Sequence, residues 1–93
     1  MLLFNLGQTV MTKRVANLFN EDKAFRNFVN ESFRKYCNAD WGDTCEEDVE
    51  LNEQALKSGD RILAVYKKEG LETIWIITEW DRSATTILFP SEY

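Results

Sequence analysis

The residues of this chain best equipped for chemistry crowd into positions 40–53, D-W-G-D-T-C-E-E-D-V-E-L-N-E. Seven of these fourteen side chains are carboxylates and none is basic. Asp40, Asp43, Glu46, Glu47, Asp48, Glu50 and Glu53 present only oxygen, which suits either a hard cation or a basic partner. A calcium or magnesium site on Asp40, Asp43 and Glu46 or Glu47 is the first reading. The EF-hand spacing is not met: positions 3 and 5 counted from Asp40 are Gly42 and Thr44, and position 6 is Cys45 where glycine is needed. Helix chemistry accounts for the same acids without a metal. Thr44 with Glu47 reads as a capping box, and acids favour a first turn, where unpaired N–H groups carry positive partial charge. No metal or other cofactor is expected.

Other constellations are thinner. Cys37 and Cys45 fall short of a zinc ligand set in a chain without histidine, and Cys37 also completes an apolar helix stripe as a buried thiol. Only two cysteines, Cys37 before the acidic stretch and Cys45 within it, favour free thiols in a reducing compartment over a disulfide. Glu79 and Asp81, beside Arg82, have a spacing open to an acid and a base, yet strand-edge glutamates and turn aspartates need no chemistry. A divalent-metal hydrolase on Asp40, Asp43 and Glu79 is the remaining catalytic reading. No nucleophile motif, phosphate-cradling glycine loop or dinucleotide fingerprint is present, so no enzyme is expected. Trp41 is either a plug closing the core or a contact anchor, since tryptophan is enriched at binding hot spots.

Charge narrows the partners. Of 16 acids and 11 bases, seven acids lie in 40–53, leaving nine acids against 11 bases elsewhere. The net charge of -5 therefore belongs to one segment. An acidic balance opposes direct nucleic-acid binding, which depends on neutralising phosphates, and favours a basic protein. No run nears the roughly 18 apolar residues of a membrane span, and residues 1–4 are too short and uncharged for a signal peptide. A cytoplasmic protein is expected.

The elements that must carry these groups are legible from periodicity. Ninety-three residues make a single domain, 1–93. After an apolar opening (Leu2, Leu3, Phe4 and Leu6), a strand is expected over 8–13 with Val10 inward, then a short helix or turn over 14–20, with Asn20 as the cap of the next element. Residues 21–37 form the clearest amphipathic helix, about 25 Å long, with Ala24, Phe25, Phe28, Val29, Ser32, Phe33, Tyr36 and Cys37 on one side. Glu21 and Asp22 fall in its first turn, and Lys23, Arg26, Arg34 and Lys35 give it a basic face. The acidic helix spans 45–58, capped by Thr44 and ended by Gly59, with a thin stripe of Val49, Leu51, Asn52, Ala55 and Leu56.

From Arg61 the period becomes two. Strands are expected from Arg61 to about Lys67, over 73–80 and over 84–89, joined by short turns that force antiparallel neighbours. Ile62, Ala64, Tyr66, Ile74, Ile76, Thr78 and Trp80 fall on one face. Leu63, Val65, Trp75, Ile77, Ile87 and Phe89 are assigned to the other, which helices cannot also cover. The expected fold class is α+β: a small antiparallel sheet, made of a C-terminal three-stranded meander plus an N-terminal strand, with helices on one face, in the order β-α-α-α-β-β-β.

The chain also resembles a family of short acidic proteins carried by plasmids, conjugative elements and phages of Gram-positive bacteria, usually labelled plasmid-related or left uncharacterised. The likeness is carried by Gly7-Gln8-x-Val10-x-Thr12, by D-W-G-D-T-C-E-E-D at 40–48, by A-L-K-S-G-D-R-I at 55–62, and by I-W-I-I-T-E-W-D-R-S-A-T-T-I-L-F-P-S-E-Y at 74–93. It implies a mobile-element setting, in which small acidic proteins often block host nucleases as anti-CRISPR or anti-restriction proteins do, some by imitating the charge of DNA. The resulting expectation is a non-enzymatic inhibitor of a basic host protein such as a CRISPR or restriction effector. It would dock through Asp40, Trp41, Asp43, Glu46, Glu47, Asp48, Glu50 and Glu53. The alternative is a homodimeric regulatory module assembled through the second sheet face, without charge mimicry.

Overall fold

The computed structural model describes residues 4–93; Leu2 and Leu3 lie outside the described residues. Strand β1 (Gln8–Met11) leads into helices α1 (Lys13–Glu21), α2 (Lys23–Cys37) and α3 (Glu46–Ser58). Strands β2 (Ile62–Tyr66), β3 (Ile74–Thr78) and β4 (Ala84–Leu88) come next, with a final 3-10 turn at Pro90–Glu92. The fold is α+β, as the periodicity indicated. The sheet order is β1-β4-β3-β2. The meander is antiparallel, and β1 joins its β4 edge in parallel.

Each helix turns an apolar stripe to the same sheet face. Val15 of α1, Phe25, Phe28, Val29 and Tyr36 of α2, and Ala55 of α3 share one core with Ile62, Ala64, Tyr66, Ile74, Ile76 and Ile87. A chain of hydroxyls crosses this core. Thr85 donates to the Leu6 carbonyl at 2.7 Å, which commits its only proton. Thr78 must then donate to Thr85 (2.8 Å), and Tyr36 to Thr78 (2.6 Å). Burial raises the Tyr36 hydroxyl far above its ordinary pKa, which keeps the proton this chain requires.

Pairing overturns several side-chain expectations. Val10 pairs with Thr86 across the parallel ladder and turns outward, 38% exposed; Met11, opposite Ile87, takes the inward place. Ile87 pairs with Ile76, so Ile87 and Phe89 face the helices, and Leu88 goes to the outer face. A run such as I-L-F cannot announce its own register, because each residue is apolar. Trp80 lies past the end of β3, 68% exposed, in the turn that Arg82 closes on the Glu79 carbonyl. Leu51 leaves the α3 stripe and is exposed, as is Ala24 on α2.

Two caps also move. Asp22, not Asn20, caps α2 by accepting from the Phe25 N–H at 3.2 Å, while Glu21 ends α1. Cys45, not Thr44, is the N-cap of α3.

Candidate protein-binding surface

The acidic segment begins where α2 stops. Ala39 takes a left-handed backbone (φ 58°), with its N–H on the Tyr36 carbonyl and the Asp40 N–H on the Lys35 carbonyl. This is a Schellman closure with alanine where glycine is usual, and it turns the chain sharply toward the sheet. Trp41 then drops into the core at 4% exposure. Its ring meets Tyr36 edge-on at 5.6 Å and lies 6.2 Å from Phe4, and its indole N–H donates to Glu53 at 3.1 Å. Trp41 is a plug; burial removes it from the partner-contact set.

The next residues seal the free edge of β2. On that edge Leu63 and Val65 direct their backbone groups away from β3. Asp43 donates its N–H to the Val65 carbonyl at 2.8 Å and accepts the Lys67 N–H on its carboxylate at 2.8 Å. The Thr44 hydroxyl accepts the Val65 N–H at 2.9 Å and donates to the Trp41 carbonyl. That commitment is why Thr44 does not cap α3. Asn52 completes the seal: its amide N–H donates to the Leu63 carbonyl (2.8 Å) and its oxygen accepts the Leu63 N–H (3.1 Å). Gly42 (φ 60°) lets the loop touch β2, since a Cβ there would sit 2.4 Å from the Tyr66 ring. An exposed strand edge invites pairing with other chains, and this one is closed by side chains of the acidic stretch.

Asn52→Ala is therefore expected to strand both backbone groups of Leu63, at about 1–3 kcal/mol of stability. It should also raise aggregation on partial unfolding. Urea melts with light scattering check this; an unchanged midpoint would mean water replaces the amide without loss.

The carboxylates divide by this geometry. Asp40 accepts the Gly42 N–H at 3.1 Å, Asp43 serves the β2 edge, Asp48 receives the Cys45 thiol at 3.3 Å, and Glu53 holds Trp41. Glu46, Glu47 and Glu50 have no such duty among the described hydrogen bonds and are exposed. Glu46, Glu50 and Glu53 fall within about 60° of one another around the helix axis, at 100° per residue, with Glu47 farther round the same exposed side. Among the described residues the one ion pair is Lys35–Glu31, 3.7 Å, so no carboxylate of 40–53 is in a salt bridge with a lysine or arginine there, although Lys57, four residues after Glu53, shares the face of Glu46, Glu50 and Glu53. Arg26 of the basic helix is occupied elsewhere, donating to the Phe19 and Asn20 carbonyls.

No group of three His, Cys, Asp or Glu able to hold a metal exists among the described residues, so Asp40, Asp43 and Glu79 do not converge. Both cysteines are free thiols, Cys37 half-buried and Cys45 exposed. Arg82 is not a partner for Glu79 and Asp81 in proton transfer. Its guanidinium donates to the carbonyls of Ala55 (2.9 Å), Asp60 (2.7 Å) and Glu79 (3.1 Å), closing the C-terminal end of α3. Asp81 accepts from Ser83, which holds its carboxyl below the usual range, as in any tight turn.

The sequence offered Thr44 as a helix cap, Asn52 as part of the α3 stripe and Arg82 as a neighbour of an acid–base pair, but not the edge-sealing role of the first two or the helix-closing role of the third. Asn52 alone carried a signal, a polar residue within an apolar stripe. No helix among the described residues is long and apolar enough to cross a membrane. No family model, no curated protein and no solved structure matches the chain.

Proposed function

We propose that this protein is a non-enzymatic inhibitor that binds a basic, nucleic-acid-handling host protein through the exposed acids of α3, in competition with that protein's nucleic acid. One observation carries the reading: Glu46, Glu47, Glu50 and Glu53 project from one element with no lysine or arginine paired to them. Unpaired carboxylates of one sign raise the encounter rate with a basic groove and match its charge on docking. The resemblance to mobile-element proteins supports a host defence nuclease, of CRISPR or restriction type, as the target. Asp40, Asp43 and Asp48 add to the field while holding the loop, so charge and scaffold are supplied by one segment.

The test is a triple reversal, Glu46→Lys, Glu47→Lys and Glu50→Lys, in nuclease-inhibition assays against purified CRISPR and restriction effectors. These three positions hold nothing internal, so the variant should fold, with a loss of about 0.3–1 kcal/mol for each acid removed near the helix N-terminus. Inhibition should fall at least tenfold and weaken with added salt. Inhibition that survives the reversal at all salt concentrations sinks charge mimicry.

A second reading is favoured by half-exposed Trp75, Leu63 and Val65 on the outer sheet face: a homodimer through that face. Ile77 takes no direct part, being 5% exposed already. Light scattering that finds only monomer at high concentration removes it.

A further inference from the structure

Resting on the acidic-face reading, we infer that the partner's footprint runs from α3 onto the outer face of the sheet. There a basic protein surface would seat an aliphatic or aromatic side chain among Leu51, Leu63 and Tyr93. Leu51 stands 58% exposed, with Glu47, Asp48 and Gln54 one turn away on the same helix side. It shares a groove of about 180 Å³ with Asp48, Asn52, Arg61 and Leu63. Arg61 lies 5.5 Å over the Tyr93 ring and donates to its hydroxyl, and Tyr93 meets Trp75 edge-on at 5.3 Å. Leu51 and Leu63 in the groove and Tyr93 with Trp75 on the sheet thus form two apolar pairs joined through the Arg61 side chain.

The tail that brings Tyr93 here is held in place. The Glu92 carboxylate accepts both the Thr12 hydroxyl and the Phe89 N–H at 2.9 Å. Tyr93 nevertheless stays 63% exposed, over the sheet face opposite the helices.

Charge selects the occupant. The rim beside Leu51 is Glu47, Asp48 and Glu50, while Arg61 is already engaged with Tyr93. Arg61 keeps its charge and lines the same groove, but three acids against one base leave the rim net negative, which matches a basic partner. A second copy stacked face to face fits less well. One two-fold arrangement sets α3 against α3, acid on acid; the other sets α3 over β1, whose outward residues Gln8 and Val10 are uncharged.

The experiment uses two synthetic peptides of equal charge, alternating Arg and Gly, one with its central Gly replaced by Leu. They are titrated into the full chain and followed by amide and indole resonances. Both should shift Glu46, Glu47 and Glu50. Only the leucine peptide should shift Leu51, Leu63, Tyr93 and the Trp75 indole, with roughly tenfold tighter binding from one buried leucine. Leu51→Ser and Tyr93→Ser, both at exposed sites, should each erase most of that gain. If the leucine peptide shifts α3 alone with no gain, the extension is wrong while the acidic-face reading stands. If neither peptide shifts α3, both fail. A wild-type dimer that Leu51→Ser dissolves assigns the face to a second copy and overturns the inference.

Discussion

Trp41→Ala should remove about 3–5 kcal/mol of stability, the range for truncating a large buried aromatic side chain. The whole domain has only about 5–14 kcal/mol at 0.05–0.15 kcal/mol per residue, so the variant should sit near its unfolding threshold. The indole packs against the Tyr36 and Phe4 rings, and its truncation leaves those contacts unfilled. The loss extends beyond the cavity. Trp41 fixes the loop whose next residues, Asp43 and Thr44, close the β2 edge. A urea midpoint lower by roughly 2 M is expected with slopes usual for small proteins. Trp41→Phe keeps most of the packing and forfeits the bond to Glu53, so it should cost far less. A midpoint shift under about 0.5 M for the alanine variant would place the indole on the surface and restore it as a contact anchor.

Alkaline unfolding should be steep, because Tyr36 and Tyr66 are both buried as neutral phenols. Burial raises each far above its ordinary pKa; the nearby carboxylates of Asp40 and Asp43 add to the rise at Tyr66. Above about pH 10 the unfolded chain releases both protons and the folded chain keeps them, so unfolding is favoured as pH rises. Below pH 10 both states hold the protons and stability is unaffected by these groups. Each tyrosine then costs about 1.4 kcal/mol per pH unit, or roughly 3 kcal/mol per unit for the pair. Tyr66→Phe should halve the slope, after a fixed loss of about 1 kcal/mol for its bond to the Asp40 carbonyl. Urea melts from pH 8 to 11 measure this; a flat profile would show that the phenols reach solvent.

The two variants bear on one assembly. Trp41, Tyr36 and Tyr66 all bind the acidic loop to the body of the protein. Its surface chemistry therefore depends on its buried aromatic rings. A partner-binding assay on either variant must be read beside its stability, whereas Glu46, Glu47 and Glu50 can be changed without touching that assembly.

Periodicity is a local property, and the features it governs were legible in the chain. Phe25, Phe28, Val29, Ser32 and Tyr36 recur at helical spacing and all are buried on α2. Ile62, Ala64 and Tyr66 alternate and all are buried on β2. The element order, the sheet-and-helix class and the grouping of negative charge on α3 arise from such patterns and from capping chemistry. Only the tertiary structure decided the features that depend on residues far apart in sequence. Register turned Val10 outward and Ile87 inward, because each strand's facing is set by its neighbour's pairing. Competition for hydrogen bonds drew Thr44 away from the helix cap to the Val65 N–H, 21 residues distant. The same long-range demand separates the acids that hold the β2 edge from those left free to meet a partner. Local pattern sets which groups a segment has; the edge it lands against sets which of them remain available.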